Sequence, residues 1–568
     1  MHIPKTIVCL IALFLLCSMF YTSYAASYPL EQTISRRQSV RSYTNKNISS
    51  QQLLEVLRSA YGFWGAHRSI PRMGYDYSLI IFSVNATGSY RYNPETNTIT
   101  LHNANVNKET IRSHDSNWPS DASVVLVIVW NKTRMNNQYF ASAEAGCLVQ
   151  NVYLAAASLE LGTCCVGTIN SEGLRSDLQL PSDLIPLLVM PLGYPTNPYP
   201  EASPNYDYMT GNLPPVQYSA LSFKDTLRNM MFAKKWSTEN LSTQEVSQLL
   251  WAAYGYTNIT HDDSYHRTTP GAYGIYPLII YVSNATGTYQ YLPENHSTTK
   301  ILHGDKRIAI ASACASQLWA SKAPTIFLIV YNSSHDNGWT GDGGILPHEF
   351  IEVDAGTVIQ QLFLEASAWN LGANIVANGL EDWNGAGAEI LRSILSLPNS
   401  LIPLYIIPIG SRAPDTIPPK IGIPSQNPEP TTVQPNQKVT VTTNVVDEET
   451  GVLEVILSYN VNESQTWINI TMKPSQNNTY TAEIPGFEVG TKIQFKIIAY
   501  DYANNVAAED KSGEYYVYKV IPELHNPLLI FTITMLIILI LIKAERHKNK
   551  LRKIKTQTNH LPIKNFLN

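Results

Sequence analysis

The chain contains the same stretches of sequence twice. Residues 48–62 (ISSQQLLEVLRSAYG) return as residues 241–255 (LSTQEVSQLLWAAYG), and residues 85–95 (NATGSYRYNPE) return as residues 284–294 (NATGTYQYLPE). The interval of roughly 200 residues is the size of a domain and is far longer than the repeat of a solenoid or propeller. The duplication therefore predicts two homologous domains, arranged within one chain as a homodimer would be.

The pattern of apolar residues predicts an α+β class for both copies. We place the first domain at residues 28–200 and the second at residues 222–412, with a proline-rich connector at 194–204. Apolar residues recur at helical spacing, whereas other runs are short and rich in β-branched residues, as in buried strands. The predicted helices are 51–61, 144–161, 244–254 and 354–371, and the predicted central strands are 124–130 and 325–331. Gly162 and Gly372 are expected to end the two longer helices.

The sequence changes character after the second domain. Five short runs with alternating apolar residues, separated by turn residues, predict a β-sandwich over residues 416–520. The predicted strands are 439–445, 454–459, 467–472, 479–484 and 493–500. The turn at Asp501–Asn505 resembles that of fibronectin-III-like and Ig-like modules. Such a module before a membrane segment is most simply a stalk.

Both ends of the chain predict an exported, anchored protein. Residues 1–26 have the basic, apolar and small-residue regions of a signal peptide, although an uncleaved anchor is the alternative. Residues 524–542 are apolar and predict one transmembrane helix, and the basic tail at 543–568 is expected in the cytoplasm. All N-glycosylation sequons precede that segment, which favours an ectodomain outside the cell membrane.

Composition excludes some classes of function. The formal net charge is −5, and basic residues do not cluster before the C-terminal tail, so no nucleic-acid partner is expected. After removal of the signal peptide four cysteines remain, and none has the spacing of a metal site. We therefore predict neither a metal centre nor a disulfide framework.

A short basic motif near the start of the first domain is a candidate anion site. Arg37, Ser39 and Arg41 follow one another at alternate positions, with Gln38 between the first two. Guanidinium groups pair bidentately with phosphate oxygens, and a hydroxyl adds a hydrogen bond. The alternative is a solvated basic surface, and the motif alone does not decide between the two.

The order of the motifs resembles the nitroreductase family. R-x-S-x-R-x-Y is followed by the helix ending in A-Y-G and then by H-R-x-x-P, and both domains end in Pro-x-Gly strands (residues 191–193 and 408–410). The closest resemblance is to the dehydrogenases associated with thiazole and oxazole formation. The resemblance covers both large domains, and it implies FMN bound at the interface of an α+β dimer, here an intramolecular pseudo-dimer.

The resemblance also assigns the two halves of a flavin site. In the family, R-x-S-x-R of one subunit binds the phosphate and ribityl chain, and a small-residue loop of the other subunit packs on the flavin ring. The first domain keeps the basic motif, but the second has Met230, Phe232 and Lys234 at those positions. The second domain keeps the loop (Pro270, Gly271, Ala272 and Gly274), but the first has Arg72 and Met73 in it.

The losses are therefore complementary. If the domains pair as a family dimer does, one complete site forms, and the other site combines two altered halves. The loop Gly162–Gly167 (GTCCVG) is similar to the family's G-T-C-x-x-G and is expected at the flavin edge. The resemblance thus implies a cofactor site made of Arg37, Gln38, Ser39, Arg41, Gly162, Thr163, Cys164, Gly167, Pro270, Gly271, Ala272 and Gly274.

The expected function is that of an extracytoplasmic, membrane-anchored FMN-dependent oxidoreductase. The flavin would exchange hydride with a small-molecule substrate, and no side chain is assigned as acid or base. The electron donor is unknown, because NAD(P)H is not available outside the cell. The alternative is a non-catalytic cell-surface protein whose flavin sites have decayed.

Overall fold

The computed structural model describes most of the chain. The described residues are 28–64, 67–74, 76–112, 121–199, 208–259, 265–315, 317–336, 347–376, 379–380, 383, 385–447, 451–474, 478–522 and 535–548. The predicted signal peptide (1–26) lies outside this range, as do part of the predicted transmembrane segment and most of the basic tail.

The first large domain is built on antiparallel strands and flanking helices. Its strands are β1 (Phe63–Trp64), β2 (His67–Arg68), β3 (Leu79–Asn85), β4 (Gly88–Asn93), β5 (Thr98–Asn103), β6 (Val124–Asn131), β7 (Gly162–Thr163) and β8 (Leu184–Gly193). Its helices are α1 (Leu30–Arg36), α2 (Ser50–Tyr61), α3 (Lys108–Arg112), α4 (Gln138–Ser158) and α5 (Ser171–Asp177). The main sheet has the order β5-β4-β3-β6-β8-β7, and β1 and β2 form a separate hairpin.

The second large domain repeats this plan. Its helices are α6 (Phe223–Arg228), α7 (Thr243–Tyr254), α8 (Arg307–Ala313), α9 (His348–Ala368) and α10 (Ala386–Leu395). Its strands are β9 (Tyr256–Ile259), β10 (Tyr265–Arg267), β11 (Leu278–Asn284), β12 (Gly287–Leu292), β13 (Ser297–His303), β14 (Thr325–Asn332), β15 (Gly372–Ala373) and β16 (Leu401–Gly410). The sheet order, β13-β12-β11-β14-β16-β15, is that of the first domain. The predicted α+β duplication is confirmed.

The two long helices begin earlier than their sequences predict. Both α4 and α9 start six residues before the predicted positions 144 and 354. Almost every residue of each helix after the first turn is buried. A helix that is buried on all sides has no amphipathic stripe to mark its start. Only the cap identifies the beginning of α4, where the Asn137 side chain accepts from the backbone N–H of Phe140.

The prediction that Gly162 and Gly372 end these helices is wrong. The left-handed residues after the helices are Glu160 and Asn370, each with φ of 57°. Gly162 instead begins β7, where a Cβ atom would lie 2.5 Å from the Val40 side chain. Gly372 begins β15, where a Cβ atom would lie 2.6 Å from Ala233. Both glycines are required by close approach of another segment and not by helix termination.

The two domains pair about a pseudo-twofold axis at α4 and α9. Gly146 and Gly356 are each the ninth residue of their helix and face one another at the crossing. A Cβ atom on either glycine would lie 2.8 Å from the Cα atom of the other. The hydrogen bonds between the domains are reciprocal. Gln150 Nε2 of the first domain donates to the Thr268 carbonyl (3.2 Å), and Gln360 Nε2 of the second donates to the Ser69 carbonyl (2.9 Å). These contacts are those of an isologous interface within one chain.

The C-terminal region forms two five-stranded antiparallel sheets that share one core. Its strands are β17 (Lys420–Ile421), β18 (Ser425–Asn427), β19 (Val439–Val446), β20 (Val452–Val461), β21 (Ile468–Thr471), β22 (Lys473–Pro474), β23 (Thr479–Ile484), β24 (Lys492–Asp501), β25 (Val506–Glu509) and β26 (Tyr516–Lys519). One sheet contains β17, β18, β19, β22 and β23, and the other contains β20, β21, β24, β25 and β26. Alternate side chains of both sheets are buried together, as period-two patterning predicts. We call this part the C-terminal β-domain.

Residues 535–548 form a helix near the C-terminus. Among the described residues, no helix is both long and apolar enough to cross a membrane. The predicted transmembrane segment at 524–542 begins outside the described residues.

Candidate functional site

A cavity of about 520 Å³ lies between the two large domains. The first domain supplies the basic motif and the loop after β7, whereas the second supplies the loop after β10 and the first turns of α9. Seven of the twelve predicted cofactor residues line it, namely Ser39, Arg41, Cys164, Gly167, Pro270, Gly271 and Ala272. The two halves that the sequence retains therefore meet at one place.

The basic motif is fixed to the sheet edge of the first domain. Ser39 pairs with Thr163 in a parallel bridge, and the Val40 N–H donates to the Thr163 carbonyl (2.9 Å). This pairing explains why Gly162 and Thr163 support the site without lining the cavity. The Ser39 hydroxyl lies 3.1 Å from the hydroxyl of Tyr153, which accepts from the Cys165 N–H (2.8 Å). Arg41 is exposed at the cavity edge.

Arg37 and Gln38 are not placed like Arg41. The Arg37 side chain is only 3% exposed and does not line the cavity. Its Nη2 atom donates to the carbonyl of Arg267 in the second domain (3.0 Å), and its guanidinium lies 5.2 Å from the Tyr153 ring centroid. Gln38 is half-buried and also outside the cavity lining. Arg37 Nη2 therefore ties the motif to the opposite domain, while the Nε and Nη1 atoms of Arg37 are buried without a hydrogen-bond partner among the described residues. Ser39 and Arg41 are the residues of the motif that line the cavity.

The opposite wall is a tight loop in the second domain. Ala272–Gly274 forms a 3-10 turn in which Tyr273 and Gly274 have positive φ values of 56° and 74°. A Cβ atom on Gly271 would lie 2.4 Å from the Ile275 carbonyl oxygen. Small residues therefore let the backbone fold closely here. Gly274 shapes the turn without lining the cavity.

A buried carboxyl group under this loop was not predicted from the sequence. Asp354 lines the cavity at 5% exposure, and its two carboxyl oxygens lie 3.2 and 3.1 Å from the Ala272 N–H. Burial raises the pKa of Asp354 to about 8, and the hydrogen bond from Ala272 only partly opposes this. The repeat contained a signal for this buried carboxyl group, because Asp354 and the buried Glu144 occupy equivalent positions, each as the seventh residue of its long helix.

Replacing Asp354 by asparagine should alter how stability depends on pH. The raised pKa means that the folded protein retains a proton that the unfolded chain releases, so ionisation of Asp354 destabilises the fold as pH rises from about 4 to about 8. Asparagine keeps an acceptor for Ala272 but cannot ionise. Asp354→Asn should therefore be more stable than wild type by a few kcal/mol at pH 9 and equal to it near pH 3.5. If the melting temperatures of wild type and Asp354→Asn change in parallel from pH 4 to 9, the raised pKa of Asp354 is contradicted.

The loop after β7 contributes two thiols and a close contact. Burial raises the pKa of Cys164, although the nearby Arg41 charge lowers it, and burial also raises the pKa of Cys165. The raised values are those of inert thiols and not of nucleophiles. A Cβ atom on Gly167 would lie 2.6 Å from the Phe350 ring, so glycine lets this aromatic residue of α9 reach the cavity.

The cavity has the features that a phosphate-bearing planar cofactor needs. Its volume lies within the range of small-molecule sites. Arg41 and Ser39 offer a cation and a hydroxyl to a phosphate, and the Gly271–Ala272 backbone on the other wall allows a flat ring to approach closely. These residues fit FMN.

The fold and this cavity define a duplicated α+β protein whose candidate ligand site lies between its two halves. The model of the nitroreductase family matches residues 34–194 and 233–411, which together are more than half of the chain. The chain therefore belongs to the nitroreductase family. Members of this family typically bind FMN.

The chain is also similar to individual proteins and solved structures. "Putative nitroreductase MJ1384" of Methanocaldococcus jannaschii is 29% identical over 212 residues, which cover 36% of this chain and 98% of that protein. The crystal structure of a "putative nitroreductase" from Anabaena variabilis is 16% identical, with a TM-score of 0.53 and coverage of 69% of this chain and 93% of that one. A "putative nitroreductase in complex with fmn" from Desulfovibrio desulfuricans is 20% identical, with a TM-score of 0.25 and coverage of 33% and 99%.

Proposed function

We propose that this protein is an FMN-dependent oxidoreductase of nitroreductase type with one flavin site per chain. FMN would supply hydride transfer to or from a small-molecule substrate. The observation that carries the proposal is that the retained motif of the first domain and the retained loop of the second line one interdomain cavity.

The side chains around the cavity would bind and orient the cofactor. Arg41 and Ser39 would hold the phosphate end, while Pro270, Gly271 and Ala272 would support the ring. Gly167 and Cys164 would lie along the edge. No side chain is assigned as an acid or base. The substrate is proposed only as a small molecule, and no electron donor is assigned.

The pairing of the domains implies a stoichiometry that can be measured. The full chain, purified and reconstituted with excess FMN, should retain one flavin per chain after gel filtration, seen as absorbance at about 450 nm. A colourless protein after reconstitution would contradict the enzyme and favour a non-catalytic surface protein. Two flavins per chain would contradict the single composite site.

We also propose that the protein is anchored in the cell membrane with its large domains outside. Every glycosylation-sequon asparagine whose burial the structure describes is partly or fully exposed, so each of these is accessible to a glycan. The eight apolar residues from Met535 to Ile542 are between 43% and 61% exposed, which suits contact with lipid. Extraction of the protein from membranes by carbonate alone would contradict the anchor.

A further inference from the structure

A second interdomain cavity of about 450 Å³ lies at the pseudo-symmetric position. The altered halves meet here, with Arg72 and Met73 of the first domain opposite Phe232 and Lys234 of the second. The C-terminal β-domain supplies part of the wall through Leu453, Glu454, Thr471 and Tyr502. The cavity is therefore built from three parts of the chain and is separate from the proposed flavin site.

This second cavity is not shaped like the first. Phe232 stands at the position of Ser39, and its ring centroid lies 5.8 Å from that of His67 and 6.1 Å from that of Tyr502. The Tyr502 segment is held in place, because Arg412 Nη1 donates to the Tyr502 carbonyl (2.7 Å). Aromatic side chains thus take the space that a phosphate and its chain would need, and they offer flat apolar surfaces to a smaller ligand.

Two of the three Arg and Lys side chains that line the cavity form no ion pair among the described residues. Neither Arg72 nor Lys234 forms an ion pair with any residue that the structure describes. The Lys234 ammonium lies over aromatic rings instead, 5.2 Å from the Tyr502 centroid and 5.9 Å from the Trp319 centroid. By contrast, Arg68 on the same wall is paired with Glu95 (3.2 Å).

One acidic group, Glu454, lies in the same cavity, and its charge interacts with that of Arg72 although the two form no ion pair. Glu454 is 8% exposed, its Oε1 atom accepts from the Thr471 hydroxyl (2.8 Å), and its Oε2 atom has no partner among the described residues. Burial raises the pKa of Glu454, although the hydrogen bond from Thr471 and the positive charges of Arg68 and Arg72 oppose this. The cavity therefore offers two cations that form no ion pair among the described residues, several aromatic rings, and one buried carboxyl group whose pKa is raised.

We propose that this second cavity binds a small aromatic carboxylate. The carboxylate would lie between Arg72 and Lys234, since charge-assisted hydrogen bonds to guanidinium are strong where water is scarce. The aromatic ring would pack against Phe232, Trp319 and Tyr502, which favours offset or edge-to-face contacts. The bound ligand would touch both large domains and the C-terminal β-domain.

Calorimetric titration of the full chain with benzoate tests this site. Benzoate should bind saturably, and benzyl alcohol, which has the ring without the charge, should bind at least about tenfold more weakly. Arg72→Met should weaken benzoate binding by about tenfold or more. The matched control is Arg41→Met in the first cavity, which should leave benzoate affinity unchanged.

Several results would overturn the proposal. These are no saturation up to about 10 mM benzoate, equal binding of benzyl alcohol, loss of binding in Arg41→Met but not in Arg72→Met, or a second flavin in this cavity. If Arg72→Met melts well below wild type, Lys234→Met replaces it with the same expected loss. Benzoate binding does not require flavin, so failure of this proposal and failure of the flavin site are distinguishable.

Discussion

Replacing Gly146 by alanine should destabilise the protein by about 3 kcal/mol or more, although alanine favours a helix over glycine by about 1 kcal/mol. The reason is the helix crossing, where a Cβ atom on Gly146 would lie 2.1 Å from the Val353 carbonyl oxygen and 2.8 Å from the Gly356 Cα atom. Both contacts are with backbone, which cannot rotate away. The helices α4 and α9 would have to separate, and most of the domain interface depends on them.

The pseudo-twofold axis supplies the matched variant. A Cβ atom on Gly356 would lie 2.1 Å from the Ala143 carbonyl oxygen, so Gly356→Ala should cost a similar amount. Urea denaturation of the two variants beside wild type measures both losses. Because helix propensity and steric clash predict opposite signs, a variant that is more stable than wild type would contradict the described crossing.

The second large effect concerns flavin affinity. Under the proposed function, Arg41→Met should weaken FMN binding by at least about tenfold, because it removes a charge-assisted contact to phosphate. Lys234 holds the matching position in the second domain, and it lines the other cavity. Lys234→Met should therefore leave FMN affinity unchanged.

Titration of FMN into each flavin-free variant, followed by flavin fluorescence, measures this difference in affinity. The two substitutions remove one positive charge each, so a general electrostatic effect would weaken binding equally in both. Equal losses would contradict a single composite site. A loss in Lys234→Met alone would place the flavin in the second cavity.

Much of the fold could be predicted because strands and repeats leave local signals. The sequence predicts strands at 439–445, 479–484 and 493–500, and the structure has β19 at Val439–Val446, β23 at Thr479–Ile484 and β24 at Lys492–Asp501. Alternation marks a strand that has one face on a core. The starts of α4 and α9 were missed because helices buried on every side lose that contrast.

The candidate site could likewise be predicted only in part from the sequence. The repeat indicated which motif each domain retains, so Ser39, Arg41 and Pro270 to Ala272 could be chosen before any geometry was known. Their proximity in one cavity depends on how the domains pair. Arg37 shows the limit, because sequence groups it with Arg41 whereas its guanidinium binds the Arg267 carbonyl across the interface.

The sequence by itself determined the duplication, the α+β class, and the opposite losses in the two copies. Those features are local or repeated, and they can be recognised without knowing which segments touch. Only the tertiary structure decided that α4 and α9 cross at Gly146 and Gly356, which brings the retained halves together. It also decided that Tyr502 packs into the other cavity and that Asp354 is buried beneath the Ala272 loop. Such contacts join residues that are far apart in the chain, and packing and desolvation in the folded state set them.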